Sequence, residues 1–201
     1  MMEGKKIKLR APEPSDIDSL YEWENNPKFW HLSSTLVPFS RFDIEQYVLA
    51  AEKDIYKTRQ MRLMIVNKAD DIPVGNIDLF DFSPQHRRLG LGILIDEKWQ
   101  GQGFASEALD LCIEYCFDHL MLHQVYANIL PNNTQSIKLF EQKNFIYAAT
   151  KKDWLWINGQ WTDERLYQLI KPKTWVNPKV LGHIDLSEIE KSVWKKKRKK
   201  T

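Results

Sequence analysis

Apolar and polar positions along this chain follow two different periods, which predict an alternation of strands and helices. Positions that alternate strictly, and short apolar runs, predict strands. The predicted strands are residues 6–10, 62–67, 74–82, 89–95 and 124–130, followed by a hairpin of 145–157 and 161–170. Turns are predicted at Ala69-Asp70-Asp71 and at Asn158-Gly159, a pair that suits a tight primed turn.

Apolar residues spaced three and four positions apart predict four helices. These are residues 14–23, 43–51 and 104–120, and a segment that follows Asn133 and runs to Lys143. Ser15 or Asp16 is the predicted N-cap of the first helix, and Ser40 that of the second. Asn144 follows the last helix, where asparagine tolerates a left-handed cap. The alternation of elements predicts a mixed α/β fold, and 201 residues are enough for one substantial core.

The pattern changes after Lys171. Prolines and a glycine interrupt the following segment, and one short helix is predicted over 187–194. The predicted organisation is therefore a domain of residues 1–171 and an extension of residues 172–201. No apolar run reaches transmembrane length and no apolar signal core follows Met1, so the predicted location is the cytoplasm, without membrane contact.

Charge is distributed unevenly along the chain. The formal net charge is +2, yet residues 195–200 are all lysine or arginine, so the rest of the chain is mildly acidic. Contact of this tail with RNA, ribosomes or acidic lipid is one interpretation, but a solvated end is favoured. Cys112 and Cys116 lie four residues apart in a predicted buried helix without further ligands nearby, so they are predicted core residues and no metal site is predicted.

A glycine-rich turn between a strand and a helix carries the strongest chemical signal. Gln100-Gly101-Gln102-Gly103-Phe104-Ala105 follows the strand 89–95 and opens the helix 104–120. Glycines let the backbone approach a ligand, and the first amides of a helix are free to bind an anion. The turn lacks the Gly-Lys-Ser/Thr ending of a Walker loop and the third glycine of a dinucleotide fingerprint. It predicts a site for a phosphorylated cofactor, with a diphosphate as the bound group.

The turn resembles the Gln/Arg-x-x-Gly-x-Gly/Ala segment of the GCN5-related N-acetyltransferases (GNAT), with Gln100, Gly103 and Ala105 in the defining places. Asn133 and Ser136, in a helix followed by Asn144-Phe145, resemble the second signature of that family. Residues 91–96 and 98–99 resemble its fourth strand and the link that follows. Residues 156–163 resemble the closing hairpin of its ribosomal-protein and spermidine acetyltransferase branch. The resemblance covers about residues 5–171.

The resemblance implies a central, mostly antiparallel twisted sheet, splayed between strands 4 and 5 and flanked by helices. It implies acetyl-CoA as cosubstrate and direct attack of a primary amine on the thioester. A main-chain N–H within Ile93-Leu94-Ile95, with Leu94 at its centre, is expected to polarise the carbonyl. The cofactor is expected to contact Ile93, Leu94, Ile95, Gln100, Gly101, Gln102, Gly103, Phe104, Ala105, Ser106, Asn133, Ser136 and Phe140.

The chain departs from the family at two catalytic positions. A tyrosine that serves relatives as general acid is replaced by Phe140, and a glutamate that serves as base is replaced by Gly90. Asp78 and Asp81 are the alternative candidates for the base, and Asp81 is preferred because it lies nearer the end of its strand. Being three apart, they face opposite sides of a regular strand unless a bulge intervenes.

The sequence indicates one cofactor but leaves several acceptor amines open. Glu22, Glu24, Asp78 and Trp30 are the candidate acceptor-binding residues, although exposed helix faces and ordinary packing also account for them. A polyamine such as spermidine and a protein N-terminus are the leading acceptors implied by the resemblance, and an aminoglycoside is a further one. The alternative is an acetyl-CoA-binding sensor with weak or no transferase activity, because the family tyrosine and glutamate are missing. The sequence leaves the oligomeric state open, a dimer included.

Overall fold

An eight-stranded sheet forms the centre of the computed structural model, which describes residues 2–33, 37–49, 54–173 and 175. The strands run in the order β1-β2-β3-β4-β5-β6-β8-β7. They are β1 Met2–Glu3, β2 Ile7–Arg10, β3 Met61–Asn67, β4 Pro73–Ser83, β5 Arg88–Ile95, β6 Gln124–Ile129, β7 Ile146–Ile157 and β8 Gln160–Ile170. The predicted strands are confirmed within a few residues, and only the two-residue β1 was not predicted.

The sheet divides where β5 and β6 separate. These two strands are parallel and pair only over three residues, Arg88 to Gly90 against Gln124 to Tyr126, whereas all other neighbours are antiparallel. Beyond Gly90 the edge of β5 that faces β6 has no strand partner among the described residues. The predicted splay is therefore confirmed, one strand later in the numbering because β1 precedes the predicted first strand.

Six α-helices flank the described part of the sheet, two more than predicted. They are α1 Ile17–Glu24, α2 Pro27–Ser33, α3 Arg41–Leu49, α4 Ile55–Thr58, α5 Phe104–Glu114 and α6 Thr134–Gln142. The predicted helix 104–120 ends in a π-helical turn, Tyr115–His119. The short helices α2 and α4 were missed because one or two turns carry too little periodicity.

Two groups of apolar side chains hold the helices to the sheet. Leu20 and Trp23 of α1 pack with Ile44 of α3 against Met64 and Val66 of β3. Helix α5 contacts β2 and β5. Its Cys112, together with Cys116 of the π-helical turn, is fully buried, as expected of core residues. The helix is thereby fixed with its first turn at the open end of β5.

The predicted cap positions are confirmed: Asp16 is the N-cap residue of α1, although its side chain makes no cap hydrogen bond. A 3₁₀ turn, Pro14–Asp16, precedes α1 and has Glu13 as its N-cap. The Asp16 side chain accepts from the Glu13 N–H at 2.8 Å and from Arg10 at 2.6 Å, so it holds this turn to β2 instead of capping α1. Ser40 is confirmed as a cap, since its hydroxyl accepts from the Asp43 N–H at 3.1 Å. Asn144 and Asn158 adopt the predicted left-handed conformation.

The described domain ends at Ile170, where the internal contacts of the chain divide. Most of the predicted extension, including the predicted helix 187–194 and the basic tail, lies outside the described residues, so the two-part organisation stays a prediction. The predicted end of the second helix, at residues 50–51, also lies outside them. No helix among the described residues is long and apolar enough to cross a bilayer.

Candidate active site

The splay between β5 and β6 opens into a cleft of about 1310 Å³. We call one side the cofactor half: residues 91–95 of β5, residues 100, 101 and 103–106 of the glycine turn and α5, and Asn133 and Ser136 beside α6. We call the other the acceptor half: Glu24, Tyr47, Arg62, Asn76 and Asp78. The two halves meet along β4 and β5.

The glycine turn has the backbone conformation that its sequence predicts. Gly101 and Gly103 have φ angles of 76° and 86°, a region that favours glycine. A Cβ atom at Gly101 would meet nothing within 4 Å, so backbone conformation and not packing requires glycine there. Gly103 is the N-cap of α5 and accepts the first intrahelical hydrogen bond, from the Glu107 N–H, at 3.2 Å.

The main-chain N–H groups of residues 101–106 are available to an anion, since no hydrogen bond within the described residues uses them. They lie at the positive end of the α5 dipole and border the cleft. This arrangement fits a diphosphate, with oxygen atoms accepting from several amides at once. The turn therefore fits the diphosphate of a coenzyme A thioester. Gln102 is an exception to the prediction, because it does not border the cleft and its carbonyl accepts from Lys6 Nζ.

The register of β5 decides which of its amides face the cleft. The Asp96 N–H donates to the Val74 carbonyl at 3.0 Å, and Leu94 lies opposite Asn76 in the same antiparallel ladder. Because main-chain groups alternate along a strand, those of Leu94 face β4, and those of Leu91, Ile93 and Ile95 face the open side. The Ile95 carbonyl accordingly accepts from Gln100 Nε2 at 3.0 Å. The N–H of Leu94, the predicted donor, therefore faces β4 and not the cleft, whereas the N–H of Ile93 faces the open side.

Helix α6 brings two of its three predicted contacts to the cleft. Asn133 caps the helix by accepting from the Ser136 N–H at 3.1 Å, and both residues border the cleft. Phe140 does not border it: the side chain is 3% exposed and packs edge-to-face on Phe145 at a centroid distance of 4.9 Å. The predicted cofactor contact of Phe140 is therefore wrong, and Leu139 borders the cleft on this helix.

An arginine between two carboxylates forms the acceptor half. Arg62 donates from Nε and Nη2 to the two oxygens of Asp78 at 2.6 and 3.0 Å, and from Nη1 to Glu24. Asn76 Nδ2 also donates to Asp78, at 3.1 Å, and the Tyr47 ring lies 5.6 Å from the guanidinium carbon. Burial acts to lower the pKa of Arg62, but the charges of Asp78 and Glu24 outweigh it and raise that pKa above its usual value. The cluster keeps one unbalanced negative charge.

Three predicted side chains lie outside the cleft. Asp81 has a φ angle of 50° at a register shift in β4; it is exposed and accepts from the Tyr126 hydroxyl at 3.1 Å. The preference for Asp81 over Asp78 is therefore wrong, since the bulge turns Asp81 towards β6. Glu22 is exposed on α1, and Trp30 Nε1 donates to the Glu24 carbonyl at 2.8 Å without bordering the cleft. Glu24 and Asp78 are the predicted acceptor residues that do border it.

Arg62 and Tyr47 were not predicted as site residues. The one signal in the sequence is an arginine near the start of a largely apolar strand, Met61–Asn67.

Packing of Phe80 explains why glycine, and not the family glutamate, stands at position 90. A Cβ atom there would overlap Cε2 of Phe80, so the ring occupies the space that a side chain would need.

Comparison with known proteins agrees with this geometry. Residues 6–146 match the family model described as an acetyltransferase (GNAT) domain. The spermidine N(1)-acetyltransferase of Vibrio cholerae is 23% identical over 173 residues, which cover 85% of this chain and 96% of that protein. The [ribosomal protein uS5]-alanine N-acetyltransferase of Escherichia coli is 39% identical over 82 residues, which cover 41% and 42% of the two chains.

The fold has a close counterpart among solved structures. The crystal structure of spermidine N-acetyltransferase from Vibrio cholerae in complex with CoA and spermine superposes with a TM-score of 0.73, at 22% identity, over 83% of this chain and 96% of that one. The glycine turn, the open edge of β5 and the family match over most of the domain lead to one assignment. The chain belongs to the GNAT acetyltransferase family and is an acetyl-CoA-dependent N-acetyltransferase.

Proposed function

We propose that the acceptor is a polyamine, with a primary amine that attacks the acetyl thioester directly while a second ammonium group binds at the acceptor half. The observation that carries this proposal is the cluster of Glu24 and Asp78 around Arg62, two carboxylates for one half-buried cation, within the cleft that fits the cofactor. An unbalanced negative charge there attracts a polycation. The names of two relatives, spermidine N-acetyltransferases, support the same acceptor class.

The catalytic contribution of the main chain is positioning and polarisation. The glycine turn would hold the diphosphate, and the open edge of β5 would pair with the pantetheine arm. The Ile93 N–H would donate to the thioester carbonyl as negative charge develops on its oxygen. As the C–N bond forms and the C–S bond breaks, the amine nitrogen loses one proton and the thiolate gains one. With phenylalanine at position 140, water would accept the proton from nitrogen and supply one to the departing thiolate, which an unperturbed thiol pKa of about 8.5 allows.

The test is acetyl transfer to a panel of amines, followed by thiol release and by mass spectrometry of the product. We expect kcat/KM for spermidine to exceed that for an alanine-terminated tripeptide by at least about tenfold, the discrimination that one additional ion pair in a partly buried site provides. Two matched pairs locate the acceptor site: Glu24→Gln against Glu22→Gln, and Asp78→Asn against Asp81→Asn. The first member of each pair should raise KM for spermidine, and the second should leave it unchanged.

Coenzyme A affinity serves as the folding control for all four variants. If Glu22→Gln or Asp81→Asn weakens spermidine use as much as its partner variant does, the acceptor half is placed wrongly. A preference for the tripeptide would reject the polyamine.

A protein N-terminus is the second candidate acceptor, favoured by the local similarity to the uS5-alanine acetyltransferase. The tripeptide arm of the same panel tests it. The predicted sensor without transferase activity is not favoured, since the named relatives are acetyltransferases. Cytoplasmic location, ribosome contact through residues 195–200 and the oligomeric state stay predictions.

A further inference from the structure

A lysine from the N-terminal segment lies against the glycine turn. Lys6 Nζ donates to the Gln102 carbonyl at 3.0 Å and would lie 3.9 Å from a Cβ atom on Gly103. An ammonium group carries three N–H donors, so this bond leaves two. They lie beside the turn whose own amides, residues 101–106, make no hydrogen bond within the described residues.

A carboxylate on α5 fixes this segment in place. Glu107 accepts from the Lys6 N–H at 3.0 and 3.2 Å and also from the Lys5 N–H. Gly4 completes the fit, because a Cβ atom there would overlap Glu107 Oε1. Segment and helix are more than 100 positions apart, so this contact exists only in the folded chain.

Other lysines near the turn are already paired with carboxylates. Lys98 lies 3.1 Å from Asp96, and Lys28 lies 2.9 Å from Glu97. Lys6 instead binds a main-chain carbonyl, which leaves its charge unbalanced.

We propose that Lys6 binds the diphosphate of acetyl-CoA and that Glu107 positions Lys6 by holding its main chain at the start of α5. The proposal rests on the cofactor half and is independent of which amine is acetylated. Lys6 supplies a cationic donor beside the glycine turn, in addition to the main-chain amides of the turn itself. Glu107 acts through Lys6 and does not itself contact the cofactor.

The experiment measures binding of coenzyme A alone by calorimetry, so that failure of the acceptor proposal cannot affect it. For Lys6→Gln we expect Kd to rise about three- to tenfold, the range for a charge-assisted hydrogen bond at an exposed site. The dependence of Kd on salt should also weaken, because one ionic contact is lost. Lys5→Gln is the matched control, with equal charge change at the adjacent exposed position, and should leave Kd unchanged.

Two further measurements test whether the diphosphate is the group that Lys6 binds. With 3′-dephospho-coenzyme A the loss for Lys6→Gln should persist, and with S-acetylpantetheine, which has no diphosphate, the KM should not respond to the substitution. Glu107→Gln should weaken coenzyme A binding in the parent chain but add little in a Lys6→Gln background, since it acts through the same group. The proposal is overturned if Lys5→Gln matches Lys6→Gln, if the loss disappears with the dephospho compound, or if the two losses add fully.

Discussion

The two halves of the cleft are built from different parts of the polypeptide. In the cofactor half, the groups that face the cleft are largely main-chain amides of residues adjacent in sequence, at β5 and the turn 100–106. In the acceptor half, they are side chains from α1, β3 and β4, with Glu24 and Arg62 separated by 38 positions. One half is a local backbone conformation, and the other is a tertiary assembly of charges.

Because of this difference, coenzyme A affinity should depend mainly on the cofactor half and the stability of the fold mainly on the acceptor half. A backbone site needs glycine and a helix start but buries no charge, so damage to it should weaken cofactor binding and leave the fold intact. The ionised groups of the acceptor half are half-buried and paired with one another, so removing one member leaves the others without a partner and destabilises the fold. Substitutions in the acceptor half should therefore lower the free energy of unfolding with little change in coenzyme A affinity. Substitutions in the cofactor half should weaken coenzyme A binding with little change in stability.

The largest expected effect is that of Arg62→Met. It leaves Glu24 and Asp78 without their shared cation, and we expect the free energy of unfolding to fall by about 2–3 kcal/mol, less than for a fully buried pair because these side chains are partly exposed. Urea unfolding measures the loss, and the Kd for coenzyme A should stay within about twofold. Arg41→Met, which breaks an exposed pair with Asp18, is the control and should cost at most about 1 kcal/mol. Equal losses in the two variants would contradict the contrast between the halves.

The next largest effect is expected at Gly90, which packs against the Phe80 ring. Gly90→Ala places a Cβ atom in the space of the Phe80 ring, and we expect the free energy of unfolding to fall by about 1–3 kcal/mol. In a Phe80→Leu background the cost should shrink, because the contacting ring is gone. An equal loss of unfolding free energy in both backgrounds would show that contact with the Phe80 ring is not the reason for glycine at position 90.

A smaller effect is expected in the cofactor half. Gly103→Ala forces a residue with a side chain to a φ angle of 86°, which displaces the turn and its amides. We expect Kd for coenzyme A to rise about tenfold while the fold loses only about 1 kcal/mol. Gly159→Ala, in the hairpin turn at φ 79°, imposes the same strain away from the cleft and should leave Kd unchanged.

The smallest effect lies outside both halves, at the partner of Asp81. Burial, assisted by the charge of Asp81, raises the pKa of Tyr126 to about 12. Because this exceeds the unfolded value of about 10, the folded state holds the phenol proton more tightly. The resulting stability is complete below pH about 10 and is lost as the pH rises to about 12. The difference in unfolding free energy between the parent and Tyr126→Phe should shrink over that range; a constant difference would contradict the assignment.

The features that could be predicted from the sequence are mostly local, like the cofactor half, and those that were missed depend on tertiary contacts, like the acceptor half. The glycine turn, the caps at Ser40 and Asn144 and the hairpin turn at Asn158 were predicted, because each depends on a short segment with its own conformational preference. The splayed sheet was predicted from the family resemblance. The errors at Asp81 and Leu94 have one cause: a strand pattern gives alternation but neither the bulge nor the register that assigns each residue a side. Arg62 was missed because its partners lie on other elements.

The sequence by itself determined the fold class and the conformation of the glycine turn, since periodicity, glycine and a helix start act within a few residues. Only the tertiary structure decided which amide of β5 faces the cleft, which carboxylates meet Arg62 and which ring fills the space beside Gly90. Those outcomes depend on strand register and on contacts between distant segments, and register is fixed by packing of the whole sheet against its helices.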